Sequence, residues 1–381
     1  MAFRLDETQG ELAGMALDFA RAEMAPHALA WEASGQLPLE TLREAARLGM
    51  AAIYTGEALG GSGLGRLDAV LIFSALARGC PSVAAFLSIH NMATWMIDRY
   101  GGDALREALV PKLASMELVA SYCLTEPGCG SDAAALTTRA VREGETYVVT
   151  GTKQFISGAG TSDLYVTMVR TSGEGASGIS ALVVPKDTPG LSFGANEQKM
   201  GWKAQPTRTV SLDACRVPVA NRLGGEGEGF SIAMKGLDGG RLNIAACSLG
   251  GAEAALEKAL GYMAERHAFG RRLDAFQALQ FRLADMATRI EAARALLYGA
   301  AAALDRGDAD ATMRIAMAKR FVTDECFAVV DEALQLHGGY GYLCDYGLEK
   351  ILRDLRVHRI LEGTNEIMQV IVARALVGGA R

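Results

Sequence analysis

The period of the apolar residues changes twice along this chain, and that change restricts it to a helical, then β, then helical order. From residue 6 to about 117 apolar side chains recur at three- and four-residue spacing: Leu12, Met15, Ala16 and Phe19, then Leu39 to Leu48, Leu67 to Leu76, Ala84 to Met96 and Ala104 to Met116. That is the stripe of an amphipathic helix, and the breaks GGSGLG and GCPS separate successive ones. Between Val119 and Leu223 the β-rich runs YVVT, LYVTMV, SALVVP and RTVSL alternate with the turn clusters REGE, SGEGASG and KDTPG, a pattern of antiparallel sheet or barrel. From Gly229 to about Leu376 helical spacing returns in long segments, near 229–265, 275–305, 310–336 and 345–358, which are bundle lengths. The expected fold class is α+β: an N-terminal helical domain over 1–118, a middle antiparallel β-barrel over 119–224 and a C-terminal four-helix bundle over 225–381.

A chain of 381 residues can give each of these regions a core. Half of it is hydrophobic and 22% charged, ordinary for a globular protein, and no apolar run approaches the roughly 20 residues that span a bilayer. Acidic residues and helical spacing begin within MAFRLDETQGELAGMALDFA, so this stretch reads as folded protein without a targeting segment, and the expected location is cytoplasmic. The 7 cysteines are widely spaced with no C-x-x-C pair, which argues for a reducing compartment and against a disulfide framework or a metal site. A net charge of −6 with dispersed basic residues leaves no footprint for nucleic acid.

The stretch RDLRVHRILEGTNE, Arg353 to Glu366, is where chemistry is most legible. Glu362 follows the apolar pair Ile360 and Leu361 and precedes Gly363, Thr364 and Asn365, residues that break a helix and can bind ligand. Desolvating a carboxylate raises its pKa toward what proton abstraction near neutrality requires. These residues equally permit Glu362 to cap a helix end or to pair with the arginines before it. Gly128, Gly130 and Ala133 fit the dinucleotide fingerprint G-x-G-x-x-A, but ALTTRAVREGETYVVT follows as strand, turn and strand where a Rossmann site requires a helix. The glycines can still bring backbone N–H groups close to a ligand.

Five separated motifs then carry a family. Through YCLTEPGCGSD (122–132), GTKQFISGAG (151–160), ERHAFGRRL (265–273), QLHGGYGY (335–342) and RDLRVHRILEGTNEI (353–367), the chain resembles the acyl-CoA dehydrogenases over essentially its full length. The resemblance implies that family's helical, β-barrel and helical-bundle domains, FAD as cofactor, an acyl-CoA substrate, an electron-transfer flavoprotein as acceptor and a homotetramer. It assigns Tyr122, Leu124, Thr125, Gly130 and Ser131 to the flavin, with Ser131 also meeting CoA. Phe155 and Ser157 would pack on the flavin and bond its edge, where many relatives carry tryptophan and threonine. Arg266, Gln335, Gly338 and Gly339 would bind the FAD of a neighbouring subunit, and Phe269, Phe276, Gln277, Thr364 and Glu366 would also contact FAD. Arginine suits a diphosphate, although an exposed helix charge is the ordinary fate of such a residue. His337 reads as a satisfied helix-end histidine. Arg241 and Asp238 would contact the thioester and pantetheine region, or pair with each other three residues apart.

The implied reaction removes the α-proton of the acyl-CoA to Glu362 and the β-hydride to flavin N5, with Gly363 beside the substrate. Within the family, SIHNMATWMID (88–98), MGWKAQPTR (200–208) and RLNIAACSLG (241–250) are most similar to the isobutyryl-CoA dehydrogenases, which form methacrylyl-CoA in valine breakdown. Ser88 to Trp95 would line the acyl tip, bulky at Met92 and Trp95. The alternatives are a 2-methylbutyryl- or butyryl-CoA dehydrogenase, a flavin oxidase on the same fold, and a non-catalytic CoA-binding protein, against which Glu362 argues.

Overall fold

The computed structural model describes residues 5–378, so the outermost ends of the expected first and last domains, 1–4 and 379–381, lie outside the described residues. The first region is six α-helices: α1 (Glu7–Phe19), α2 (Ala28–Ser34), α3 (Leu39–Arg47), α4 (Arg66–Gly79), α5 (Pro81–Tyr100) and α6 (Asp103–Ala114). Asp6 starts α1 by accepting the Gln9 N–H at 2.8 Å while the Gln9 side chain returns to the Asp6 N–H at 3.2 Å, a reciprocal cap. Pro81 opens α5, where its missing N–H costs nothing.

The middle region holds eight strands: β1 (Ala120–Cys123), β2 (Arg139–Glu143), β3 (Thr146–Ser157), β4 (Leu164–Arg170), β5 (Ile179–Pro185), β6 (Leu191–Phe193), β7 (Thr207–Pro218) and β8 (Arg222–Leu223). They form one sheet ordered β6-β7-β3-β2-β4-β5-β8, with β1 beside β4. Pairing is antiparallel along this path except at β4, which runs parallel to β1 from Ala120↔Leu164 to Cys123↔Thr167 and touches β2 in parallel at Arg139↔Arg170. The uniform antiparallel expectation gives way there because the whole β2–β3 hairpin intervenes between β1 and β4, and so long a crossover permits parallel neighbours. Strands β4 and β5 are buried on both faces, which explains their unbroken apolar runs.

The last region comprises α7 (Gly229–Glu265), the hairpin β9 (His267–Ala268) and β10 (Arg271–Arg272), α8 (Gln277–Arg306), α9 (Ala311–Leu336), α10 (Leu348–Arg356) and α11 (Asn365–Gly378). The final helix was not separated in the sequence reading. It begins after the Gly363 break, where the Thr364 hydroxyl accepts the Ile367 N–H at 3.3 Å and caps it. The two helical regions share one hydrophobic core, running from Phe19 and Phe73 to Leu249, Ile315 and Val330. Small residues let them approach: a Cβ at Gly250 of α7 would stand 2.0 Å from the Ser74 carbonyl of α4. The sheet thereby meets a single helical body, and a cavity lies where α5, α7, the sheet and the 357–364 turn converge.

Candidate active site

The turn between α10 and α11 is an assembled object. Glu362 has φ +56° and Gly363 φ +86°, consecutive left-handed residues, of which the first is unfavourable for a side-chain-bearing residue unless its surroundings impose it. They do. The Arg241 Nε of α7 donates to the Glu362 carbonyl at 3.1 Å, and the Lys319 Nζ of α9 donates to the Gly363 carbonyl at 2.8 Å and to Asn365 Oδ1 at 2.9 Å. Asn365 in turn donates to Asp324 at 3.0 Å. Among the described residues the Glu362 N–H has no acceptor.

The carboxyl of Glu362 is left alone. Its Oε2 is shielded from solvent without a hydrogen-bond partner, and a Cβ at Gly240 would stand only 2.5 Å from it. Burial pushes this carboxyl up to about 7, against the opposing charges of Arg241 and Lys319. The alternative pairing with the preceding arginines does not occur, and the residue sits in the turn leading into α11 instead of capping α10. Gly240→Ala is therefore expected to destabilise the fold by the usual overpacking cost of about 1–3 kcal/mol, because the added methyl would press on Glu362 Oε2. A lowered melting temperature checks it.

Glu362 faces a cavity of about 780 Å³. Its walls include Tyr122, Leu124 and Thr125 at the end of β1, Gly130 and Ser131 in the following loop, Phe155 and Ser157 of β3, Arg241 of α7, and Gly363 and Thr364 of the turn. Phe155 has φ +59° at a break in the β3–β7 register, and that kink leaves its ring 64% exposed. Tyr122 brings a buried hydroxyl without a partner, and burial together with the Glu362 charge raises its pKa well above the usual value. Asp238 does not line the cavity. It accepts from Arg241 Nη1 at 2.7 Å and from the Thr312 hydroxyl at 2.7 Å, orienting the arginine.

The remaining expected residues lie elsewhere on the chain. Arg266, Gln335, Gly338 and Gly339 line a second cavity of about 450 Å³ with Tyr262 and His337. His337 is satisfied as a helix-end residue, its Nδ1 2.8 Å from the Ala333 carbonyl and its ring stacked 4.3 Å from Tyr262. Thr364 also borders a third cavity of about 390 Å³, where Glu366 meets Arg320, Arg356 and Arg359. Phe269, 96% exposed at the tip of the β9–β10 hairpin, packs edge-on to Phe276, and Gln277 opens α8; these three line none of the three cavities.

Sequence reasoning missed Lys319 and Gly240, and one further pair. Lys153 of β3, fully buried, donates to Glu126 at 2.8 Å and to the Leu124 carbonyl at 3.0 Å. Glu126 also accepts from the Thr137 N–H at 2.7 Å and the Thr138 N–H at 2.9 Å. Although burial alone would raise it, Lys153 and these donors hold Glu126 down to about 2. The pair pins the 124–138 loop that supplies one cavity wall. A signal was present for two of them: a lysine inside a strand run, and two adjacent glycines, Gly239 and Gly240, in a helix interior where each costs about 1 kcal/mol.

Comparison with known proteins then gives the arrangement a context. Three domain models match in order: Acyl-CoA dehydrogenase, N-terminal domain over residues 6–117; Acyl-CoA dehydrogenase, middle domain over 121–215; and Acyl-CoA dehydrogenase, C-terminal domain over 227–377. The chain is 53% identical to mitochondrial isobutyryl-CoA dehydrogenase of Bos taurus over 98% of its own length and 89% of that protein. Among solved structures, butyryl-CoA dehydrogenase from Megasphaera elsdenii is 36% identical with a TM-score of 0.95, covering 99% of this chain and 100% of that one. An FAD complex of PigA is 30% identical with a TM-score of 0.95, covering 99% of each chain.

Proposed function

The chain belongs to the acyl-CoA dehydrogenase family, and from that premise we propose that it oxidises isobutyryl-CoA to methacrylyl-CoA in valine breakdown, with Glu362 as the base. The observation that carries the reading is the half-buried Glu362 facing the cavity, its Oε2 shielded from solvent and without a hydrogen-bond partner. The family is FAD-dependent, and the residues fit that group. Phe155 offers a flat exposed ring beside the hydroxyls of Thr125 and Ser157, while the second and third cavities present guanidinium groups suited to a diphosphate. Tyr122, Leu124, Gly130, Ser131, Thr364 and Glu366 would complete the contacts of one chain. Arg266, Gln335, Gly338 and Gly339, away from the main cavity, would serve a neighbouring subunit in a homotetramer, and Phe269, Phe276 and Gln277 would contact FAD as well.

When bound, FAD supplies a two-electron acceptor for the hydrogen leaving the β-carbon with its bonding pair. The chain's own part is proton chemistry and charge stabilisation. Glu362 takes the α-proton, and the electron pair of that C–H bond becomes the new α,β double bond. The unengaged Glu362 N–H donates to the thioester oxygen as negative charge develops there, and a donor of this kind contributes about 3–4 kcal/mol. Arg241 and Lys319 hold the two carbonyls of the turn, so the N–H and carboxyl keep their aim. An electron-transfer flavoprotein would be the acceptor. We retain a cytoplasmic location, which the free cysteines support by suiting a reducing compartment.

Anaerobic titration with isobutyryl-CoA tests the reading: the yellow flavin absorbance should bleach. Because the Glu362 carboxyl titrates near 7 and only its ionised form accepts a proton, the rate of bleaching should rise with pH through about 7 and then level off. The same shift has the opposite sign for stability. The folded state holds this proton where the unfolded carboxyl has lost it, so the contribution is full below the ordinary value of 4.5 and is lost as pH rises through about 7.

A further inference from the structure

A chain of buried hydrogen bonds runs beneath the base turn and touches no cavity except at one end. The indole Nε1 of Trp202 lies 3.1 Å from His358 Nε2, and His358 Nδ1 lies 2.7 Å from Ser248 Oγ, which donates to the Ile244 carbonyl at 3.1 Å. The tautomer follows from the partners. An indole N–H can only donate, so Nε2 must accept and Nδ1 must carry the hydrogen that goes to Ser248. His358 is fully buried, and burial together with the Lys319 charge pushes it down to about 3, so it stays neutral.

We propose that His358 is a positioning residue for Glu362, fixing the base turn to α7 and to the sheet-side wall of the cavity through Ser248 and Trp202. This rests on the reading of Glu362 as the base. Ser248 and Arg241 are seven residues apart on α7, two helical turns, and so lie on one face about 10 Å apart. His358 is tied to the first and Glu362 to the second, so the segment 358–362 is fastened to one helix at both ends. Trp202 brings in the opposite wall. It lines the cavity, its backbone N–H donates to Asp354 Oδ1 at 2.5 Å, and a Cβ at neighbouring Gly201 would stand 2.2 Å from the Arg353 carbonyl.

Apolar side chains would fill this space without any desolvation to offset. A polar chain in which every hydrogen has an acceptor instead specifies one geometry. The function of that geometry is to keep the Glu362 carboxyl in its dry position. The charged or titratable groups around that carboxyl are Arg241 of α7, Lys319 of α9, Tyr122 of β1 and Tyr54 of the loop after α3, and none of them is altered by changing His358 or Ser248.

The test uses the FAD-loaded variants Ser248→Ala and His358→Phe, with Glu362→Gln alongside, in anaerobic reduction by isobutyryl-CoA across the pH range around neutrality. In both positioning variants the midpoint of the pH profile should fall by about one unit as water reaches a loosened carboxyl, and kcat should drop about tenfold with KM changed less than about twofold. A midpoint equal to that of the unaltered protein in Ser248→Ala overturns the proposal, whatever happens to melting temperature. That small helix-compatible change decides the matter should His358→Phe fail to fold. If Glu362→Gln still reduces flavin at the normal rate, the base reading itself fails. An inactive Glu362→Gln beside an unshifted Ser248→Ala rejects the positioning role alone.

Discussion

Glu362→Gln is expected to cut flavin reduction by isobutyryl-CoA by about 10²–10⁴-fold, the range for loss of a general base. Glutamine preserves the shape, the left-handed turn and the backbone N–H, so binding of the thioester should be largely kept. What it lacks is the basic oxygen. Fold damage is not an alternative explanation, because Oε2 has no hydrogen-bond partner to lose. Replacing a desolvated carboxylate with a neutral amide should, if anything, raise the melting temperature above pH 7, where the native protein must hold that charge out of water. Rapid-mixing measurement of the reduction rate, with ligand affinity measured separately, checks both halves. A variant that reduces flavin at near-normal rates would mean that another group removes the α-proton.

How much of this site could be read from the chain depends on how far apart its parts lie. The ledge Ile360–Leu361, the base and the glycine after it are contiguous, so a buried carboxylate was visible as a possibility. The residues that fix its turn are not contiguous. Arg241 reaches the Glu362 carbonyl from 121 positions away and Lys319 reaches that of Gly363 from 44, through helix packing that no local pattern encodes. Likewise the long helices α7, α8 and α9 follow from their apolar spacing, whereas α11 was hidden because the break at Gly363 ended the pattern. The parallel contact of β1 with β4 was hidden for a related reason: alternation reports which face a residue takes, not which strand lies beside it. The motif ERHAFGRRL shows the other limit. Its Phe269 is exposed at a hairpin tip and lines none of the three cavities described, so only a resemblance could attach it to a ligand.

Substrate size provides the last large effect. The wall of the cavity next to Glu362 comprises Ile89 and Met92 of α5 and Met234 and Leu237 of α7. The two helices are interlocked there: a Cβ at Gly236 would stand 2.0 Å from Met96 Cε, and one at Gly240 would stand 3.3 Å from Met92 Sδ. Met96 thus fills the space over Gly236 and Met92 that over Gly240, directly beside Glu362. An acyl chain that ends near the α- and β-carbons meets this wall without moving it. A longer one must displace buried side chains at an overpacking cost of about 1–3 kcal/mol, or roughly five- to 150-fold in rate. The expected order of kcat/KM is therefore isobutyryl-CoA first, 2-methylbutyryl- and butyryl-CoA lower, and octanoyl-CoA last. The first three should differ less from one another than from octanoyl-CoA, since one methylene is worth about 1–3 kcal/mol and octanoyl-CoA adds several. Competition among the four thioesters at equal concentration measures the order directly. Met92→Ala should then narrow the gap for octanoyl-CoA by opening the groove over Gly240; if octanoyl-CoA is already preferred by the unaltered protein, the short-acyl reading falls while Glu362 keeps its role.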